Sequence, residues 1–255
     1  MIKIENVSYS YDKNQILDDI SFNASNGEVT AIIGSNGTGK STLLKNICGI
    51  LNGKGNIFLD GVNTETYSRK ELAKKISYLS QFNSIDSDIN VFEVVLLGRI
   101  DNLGMTVPRG EIEKVWEILR FLNVDHLAPK NISHLSGGQR QIVFIGQALA
   151  REPEVLLLDE PTNNLDMQYT YKILNTIRTL TKHKNFTTLM VLHDLNLLES
   201  TADRVIVLHH GKLYSEGTSR EILTTEMFRD VYKMNVKFYS IDIGRNIMVP
   251  ISPCE

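Results

Sequence analysis

Cysteine is scarce: the 255 residues hold two, Cys48 and Cys254. They stand far apart and lack C-x-x-C spacing, which argues against a disulfide framework and a thiolate zinc site and fits a reducing compartment. Cys48 lies in the apolar run LLKNICGI, where a small buried side chain is the plain reading. Basic charge is not in excess either. The 27 Lys and Arg face 30 Asp and Glu, a net charge of −3. Nucleic-acid binding rests on clustered cations, so no nucleic-acid partner is expected. No apolar run approaches the ~20 residues of a membrane-spanning helix; if the protein serves a membrane, another chain must cross it. The opening MIKIENVSYSYD lacks the basic, apolar and small-residue regions of a secretory leader, and none is expected. Internal repeats and low-complexity linkers are missing too. What remains is ordinary globular composition, 42% hydrophobic and 22% charged, in a chain long enough for one or two domains.

Along the chain, strand and helix patterns alternate. The first thirty residues place apolar side chains at Val7, Tyr9 and Tyr11 and again at Ile16, Leu17, Ile20 and Phe22, with turns at 12–14 and 26–27. Val29–Ile33 is a short apolar strand ending at glycine, and residues 41–50 read as a helix. A strand at 56–59 ends in Asp60 and Gly61. Ser68 and Glu71 form a capping box that opens a helix over 69–75. After a strand at 76–80, Asn90 with Glu93 caps a helix over 91–99. Helical stripes follow over 111–122 and from 136 to 151, with Trp116 on the core side of the first. Strands at 155–158, 188–192 and 204–208 then alternate with helices at 167–181 and 195–202. This order argues an α/β sheet with helices on its faces. The stretch 82–136 is mostly helical and reads as an inserted subdomain. The tail 219–255 reads as an extension with two short helices and strands at 236–241 and 247–249.

Three motifs carry chemistry. Gly34, Ser35, Asn36, Gly37, Thr38, Gly39, Lys40 and Ser41 match G-x-x-x-x-G-K-S/T in full, after a strand and before a helix. The glycines let the backbone fold tightly and aim its N–H groups at phosphate oxygens, aided by the positive end of the helix. Lys40 reaches the terminal phosphates, and Ser41 offers its hydroxyl to Mg²⁺. Next, the run Val155 to Leu158 suits a strand buried on both faces. It delivers Asp159 and Glu160 to the carboxyl end of the sheet, where open α/β sheets bind ligands. Asp159 can hold Mg²⁺, directly or through water, and Glu160 is then placed to polarise the attacking water. Pro161 biases Glu160 toward an extended backbone. Last, Leu135, Ser136, Gly137, Gly138 and Gln139 precede a helix and make a second phosphate-binding helix start. One nucleotide needs one cradle, so this second start asks for another explanation.

The ordered set resembles the ATP-binding-cassette ATPases over essentially the whole length: the phosphate loop, Gln81 after a strand, the signature 135–139, Asp159 with Glu160, the turn Asn164, Leu165 and Asp166, and His193. The resemblance implies a P-loop NTPase core, a RecA-like sheet with helices on both faces plus an antiparallel β subdomain, and the inserted helical subdomain at 82–136. It implies ATP and Mg²⁺ as ligands. By the same resemblance, Gln81 is expected to join Mg²⁺ and the water to the transporter, His193 to contact the γ-phosphate, and Tyr11 to stack on adenine. Thr42 extends the phosphate loop, and Asp166 belongs to the nucleotide-facing set. It also implies a head-to-tail pair of identical chains, each signature closing on the partner's nucleotide. Two membrane-spanning permease subunits and, through them, an extracytoplasmic substrate-binding protein complete the assembly, with this chain peripheral on the cytoplasmic face. A groove between the Gln81 loop and the 91–99 helix would receive a permease helix, with exposed residues at 97–101 lining it.

A narrower resemblance, carried by ISYLSQ, VFEVVLLGR, DEPTNNLD and the stretch from LHDLNLL to YSEGT, is to the ATPases of iron–siderophore, haem and cobalamin importers. Ile142, Gly146 and Gln147 depart from the arginine, alanine and arginine common there, and Ile100 with Asp101 departs after Leu97, Gly98 and Arg99. The alternatives are a zinc or manganese importer, an exporter, or a soluble cassette ATPase. Other polar residues read plainly. His209 and His210 belong to a hairpin turn, and Arg178, Lys182, His183 and Lys184 to a solvated helix end. His126 and His134 have no ligand set beside them.

Overall fold

The N-terminal alternation closes into a hairpin in the computed structural model, which describes residues 1–81, 88–104, 106–241 and 245–254. Strands β1 (Ile2–Tyr11) and β2 (Asn14–Ala24) pair antiparallel and bury Ile2, Ile4, Val7, Leu17, Ile20 and Phe22. Strand β3 (Val29–Ile33) is buried along its whole length, as a continuous apolar run demands. Helix α1 (Lys40–Ile47) follows it, then β4 (Lys54–Leu59) and β5 (Val62–Asn63), which extend the hairpin into a sheet of order β2-β1-β4-β5.

Helix α2 (Arg69–Lys75) opens with the expected Ser68–Glu71 box and leads into β6 (Ile76–Leu79). Helix α3 (Val91–Leu97) opens with the Asn90–Glu93 box. Helices α4 (Arg109–Phe121) and α5 (Gly137–Ala150) follow, then β7 (Val155–Asp159), α6 (Met167–Lys184), β8 (Thr187–Val191), β9 (Arg204–His209) and β10 (Lys212–Gly217). The helix expected at 195–202 is two short turns, Leu195–Leu197 and Leu198–Thr201. The tail carries β11 (Met234–Ile241) paired with β12 (Arg245–Pro253).

The larger sheet has the order β10-β9-β3-β8-β7-β6. Every neighbouring pair in it from β9 to β6 is parallel. Its faces divide the core. Ile32 packs with α1 and the antiparallel sheet, whereas Ala31 and Ile33 pack with α3 to α6. Because β3, β6, β7 and β8 run the same way, the residues leaving their carboxyl ends gather along one edge. Those residues are Gly34, Gln81, Glu160 and His193.

The 97–101 segment departs from expectation at Arg99. Leu97 and Ile100 are exposed, at 39% and 54%, but Arg99 is 3% exposed. Its guanidinium donates to Glu111 of α4, to the Ala150 carbonyl at 2.6 Å and to Glu152 at 2.8 Å. A cation at the carboxyl end of α5 also suits the helix dipole. Arg99 therefore joins α3, α4 and α5 and does not line a docking surface. Arg178 departs as well: it is half-buried and donates to the Ser200 carbonyl at 2.5 Å.

Candidate nucleotide site

The phosphate loop leaves β3 at Gly34, whose φ is +146°. A Cβ there would lie 2.2 Å from the Leu208 carbonyl oxygen, so only glycine fits this close crossing of β9. Gly37 and Gly39 also have positive φ, at 79° and 97°. Lys40 is 6% exposed, and its ammonium is folded back onto the carbonyls of Gly34 at 2.8 Å and Ser35 at 2.9 Å. Burial pulls its pKa down, while Glu160 and Asp159 nearby push it up. A buried cation whose hydrogen bonds go to neutral carbonyls favours an incoming anion. Thr38 donates to the Ser35 carbonyl at 2.9 Å. Asn36 and Gly37 at the crest are exposed, and Thr42 continues α1.

Two clusters stand beside the loop. In the first, the Ser41 hydroxyl donates to Asp159 Oδ1 at 3.0 Å, and the Tyr78 hydroxyl donates to Asp159 Oδ2 at 3.1 Å. Asp159 is 3% exposed. Burial raises its pKa above the usual carboxylate range, against the two hydroxyl donors that lower it. In the second, Glu160 receives the Gln81 amide at 2.6 Å, the Asn163 amide at 3.2 Å and a hydrogen bond shared with His193 Nε2 at 2.5 Å. Gln81, Glu160 and His193, which leave three different strands, thus share one carboxylate.

Glu160 corrects one expectation: its φ is +53°, left-handed and not extended. The chain must turn sharply where β7 ends, and the Asn163 N–H closes that turn on the Glu160 carbonyl at 3.2 Å. A non-glycine residue in this region stores strain of about 1–3 kcal/mol, typical of positions held for function. Sequence reasoning also missed Tyr78 and Asn163. Tyr78 faces away from the helical core on β6, one strand from Asp159, and its polar tip in a short strand beside the acidic pair was the available signal.

The remaining candidates stand apart from these clusters. Ser136 caps α5, its hydroxyl accepting the Gln139 N–H at 3.3 Å while the Gln139 side chain accepts the Ser136 N–H at 3.2 Å. The two signature glycines differ. A Cβ on Gly138 would come 2.5 Å from the Tyr169 ring, so Gly138 lets α5 and α6 touch; one on Gly137 would meet nothing nearer than Leu165 at 4.0 Å. Asp166 caps α6 by accepting the Tyr169 N–H at 2.8 Å. Tyr11 ends β1 with its ring 46% exposed and edge-on to Tyr9 at 4.9 Å. Among the described residues, no helix is long and apolar enough to cross a membrane. Cys48 is half-buried, and burial pushes its thiol up to about 11.

A phosphate loop, a hydroxyl–carboxylate pair and a strand-end glutamate on one edge of a parallel sheet define a P-loop ATPase. The chain matches the ABC transporter family over residues 17–163 and belongs to it. It is 38% identical over 252 residues to an uncharacterized ABC transporter ATP-binding protein of Methanocaldococcus jannaschii, covering 98% of each. To the ferric enterobactin transport ATP-binding protein FepC of Escherichia coli K12 it is 33% identical, over 97% of this chain and 93% of the relative. Among solved structures, an ABC transporter of metal-chelate type in an inward-facing conformation superposes with a TM-score of 0.86 at 27% identity, over 98% of this chain and 97% of the other. A dimeric bacterial ABC transporter cassette superposes with a TM-score of 0.76 at 31% identity, over 86% and 99%. The protein is an ATP-binding, ATP-hydrolysing ABC subunit.

Proposed function

We propose that this chain powers a membrane importer of iron–siderophore, haem or cobalamin, by hydrolysing ATP at a site shared with a second copy of itself. The observation that carries the catalytic part is the sharing of Glu160 by Gln81 and His193, beside the Ser41–Asp159 pair. The importer part rests on relatives named for ferric enterobactin, petrobactin and hemin transport that align over most of the chain.

In this reading the loop 34–42, through its N–H groups beyond Gly34, and the start of α1 hold the ATP phosphates. Lys40 turns from the Gly34 and Ser35 carbonyls to the terminal phosphates. Tyr11 offers its exposed ring to the adenine. Ser41, Asp159 and Gln81 are hard oxygen donors, and the Ser41–Asp159 contact suits a Mg²⁺ site. Those residues would hold the ion, which would supply charge neutralisation at the phosphates. Glu160 takes the proton of the attacking water, and His193 contacts the γ-phosphate. Ser136, Gly137, Gly138 and Gln139 of one copy, with Asp166, close on the nucleotide of the other; the open side of Gly137 supports this. Residues 82–136 form the helical insertion that faces two permease subunits, and 219–255 the C-terminal extension. An extracytoplasmic binding protein delivers the substrate, and the chain sits on the cytoplasmic side of the membrane. Co-expression with its permease subunits, followed by ferric-siderophore uptake into vesicles with internal ATP, tests the reading. Uptake that depends on Glu160 supports it; ATP hydrolysis with uptake of zinc or manganese alone would reassign the substrate.

A further inference from the structure

The C-terminal segment reaches the phosphate loop. Met227, Phe228 and Val231 are each 2% exposed and join the same apolar cluster as Val205 and Val207 of β9. The Phe228 ring packs with its centroid 5.6 Å from that of Tyr232 and, edge-on, 6.0 Å from that of Phe238. Residues Phe228–Tyr232 form a single π-type turn, a geometry that recurs at functional sites. The turn aims the Tyr232 hydroxyl at the first amide of the phosphate loop, and the Gly34 N–H donates to it at 2.9 Å.

That amide needs an acceptor. Gly34 is buried at the point where the chain leaves the sheet. A buried N–H without a partner is costly, and loops shift to find one. Gly34 is also pressed against the Leu208 carbonyl. The start of the loop is thus gripped between β9 and a phenol 198 positions away in sequence. Burial lifts the Tyr232 phenol to about 12, so it stays neutral at working pH. The same segment holds the chain just after His193. Asn196 exchanges two hydrogen bonds with the Met248 backbone, at 2.9 and 3.2 Å. The tail therefore touches two sides of the nucleotide machinery.

We propose that Tyr232 is a positioning residue for ATP binding: its hydroxyl fixes Gly34, and through it the C-terminal segment holds the phosphate loop in its binding conformation. This rests on the assignment of residues 34–42 to the phosphates. Tyr232→Phe removes only the hydroxyl. The loop then samples other conformations, and apparent affinity falls by the fraction of time the competent one is lost. The expected result is a roughly tenfold weaker ATP affinity, with KM raised and kcat within about twofold. Amide exchange in a peptide spanning Gly34 accelerates. Val236→Ala, a packing variant in the same segment, is the comparison, with both variants placed on one scale of thermal midpoint. The experiment measures binding of a fluorescent ATP analogue, steady-state kinetics and exchange in the full-length chain. Lys40→Ala serves as the control for the loop. Weakened binding in Lys40→Ala, with Tyr232→Phe no different from Val236→Ala in affinity and exchange, overturns the Tyr232 proposal alone. Unchanged binding in Lys40→Ala overturns the loop assignment and this proposal with it.

Discussion

Replacing Glu160 by glutamine removes a negative charge and almost nothing else. The carboxylate makes three contacts: Gln81 and Asn163 donate to Oε2, and His193 meets Oε1. If the glutamine carbonyl takes the Oε2 position, both amide donors keep their acceptor. Its NH₂ then faces His193 Nε2, which accepts once the imidazole proton sits on Nδ1. Every contact survives at the cost of a tautomer, so folding stability should change by no more than about 1 kcal/mol. ATP binding should persist, since the phosphate loop is untouched. Proton removal from water is lost, which costs roughly 10²–10⁴ in turnover, or about 3–5 kcal/mol of barrier. Phosphate release in steady state measures the rate, and a nucleotide-binding titration with a thermal melt checks the rest. Turnover within tenfold of the native chain, with binding and melting intact, would remove Glu160 from the mechanism.

Three further outcomes follow from particular contacts. Arg99→Met keeps the aliphatic stem but strands Glu111 and the Ala150 carbonyl, so the urea midpoint should fall by an amount equal to about 2–3 kcal/mol; an unchanged midpoint would make Arg99 a surface residue after all. Glu111 should give acid sensitivity. The Arg99 hydrogen bond holds its carboxyl below the ordinary 4.5. Its stabilising contribution is therefore present above about that pH and disappears as pH falls through the depressed native value, and Glu111→Gln should flatten that part of a stability-against-pH curve. Gly138→Ala should force the Tyr169 ring aside and destabilise by about 1–3 kcal/mol, partly offset by alanine's helix preference, whereas Gly137→Ala should leave the melt of the single chain unchanged or raised; equal melts for both would refute the α5–α6 contact.

Local rules carried the sequence reading a long way. Both early capping boxes, at Ser68–Glu71 and Asn90–Glu93, were legible because the two partners lie three residues apart. The phosphate loop and the Asp159–Glu160 pair were legible because each is contiguous and bounded by a strand. The left-handed turn at Glu160 was not. The proline after it argues for extended backbone, and the opposing requirement, a carboxylate held by Gln81 and His193 from other strands, exists only in three dimensions. Arg99 failed for a similar reason. A charged residue after a helix reads as solvent-facing until its partners, 12 and 53 positions away, close around it. The tail hairpin was visible as alternation, though shorter than it is. Its reach to Gly34 was beyond any local signal.

In the proposed reading the ATP site is complete only between two copies of the chain. A Lys40→Ala chain has an intact signature and a defective loop; a Ser136→Arg chain has an intact loop and a blocked signature. Neither alone should form an ATP-closed dimer. Mixed, the good loop of one meets the good signature of the other, giving one closed site per heterodimer. Adding Glu160→Gln to both chains slows hydrolysis and traps that state. The measurement is ATP-dependent dimer mass, in the purified chains and in the assembled transporter, with each variant's fold verified by its melt. Dimer is expected in the mixture and in neither chain alone; a Ser136→Arg chain that behaves identically alone and mixed would contradict the composite site.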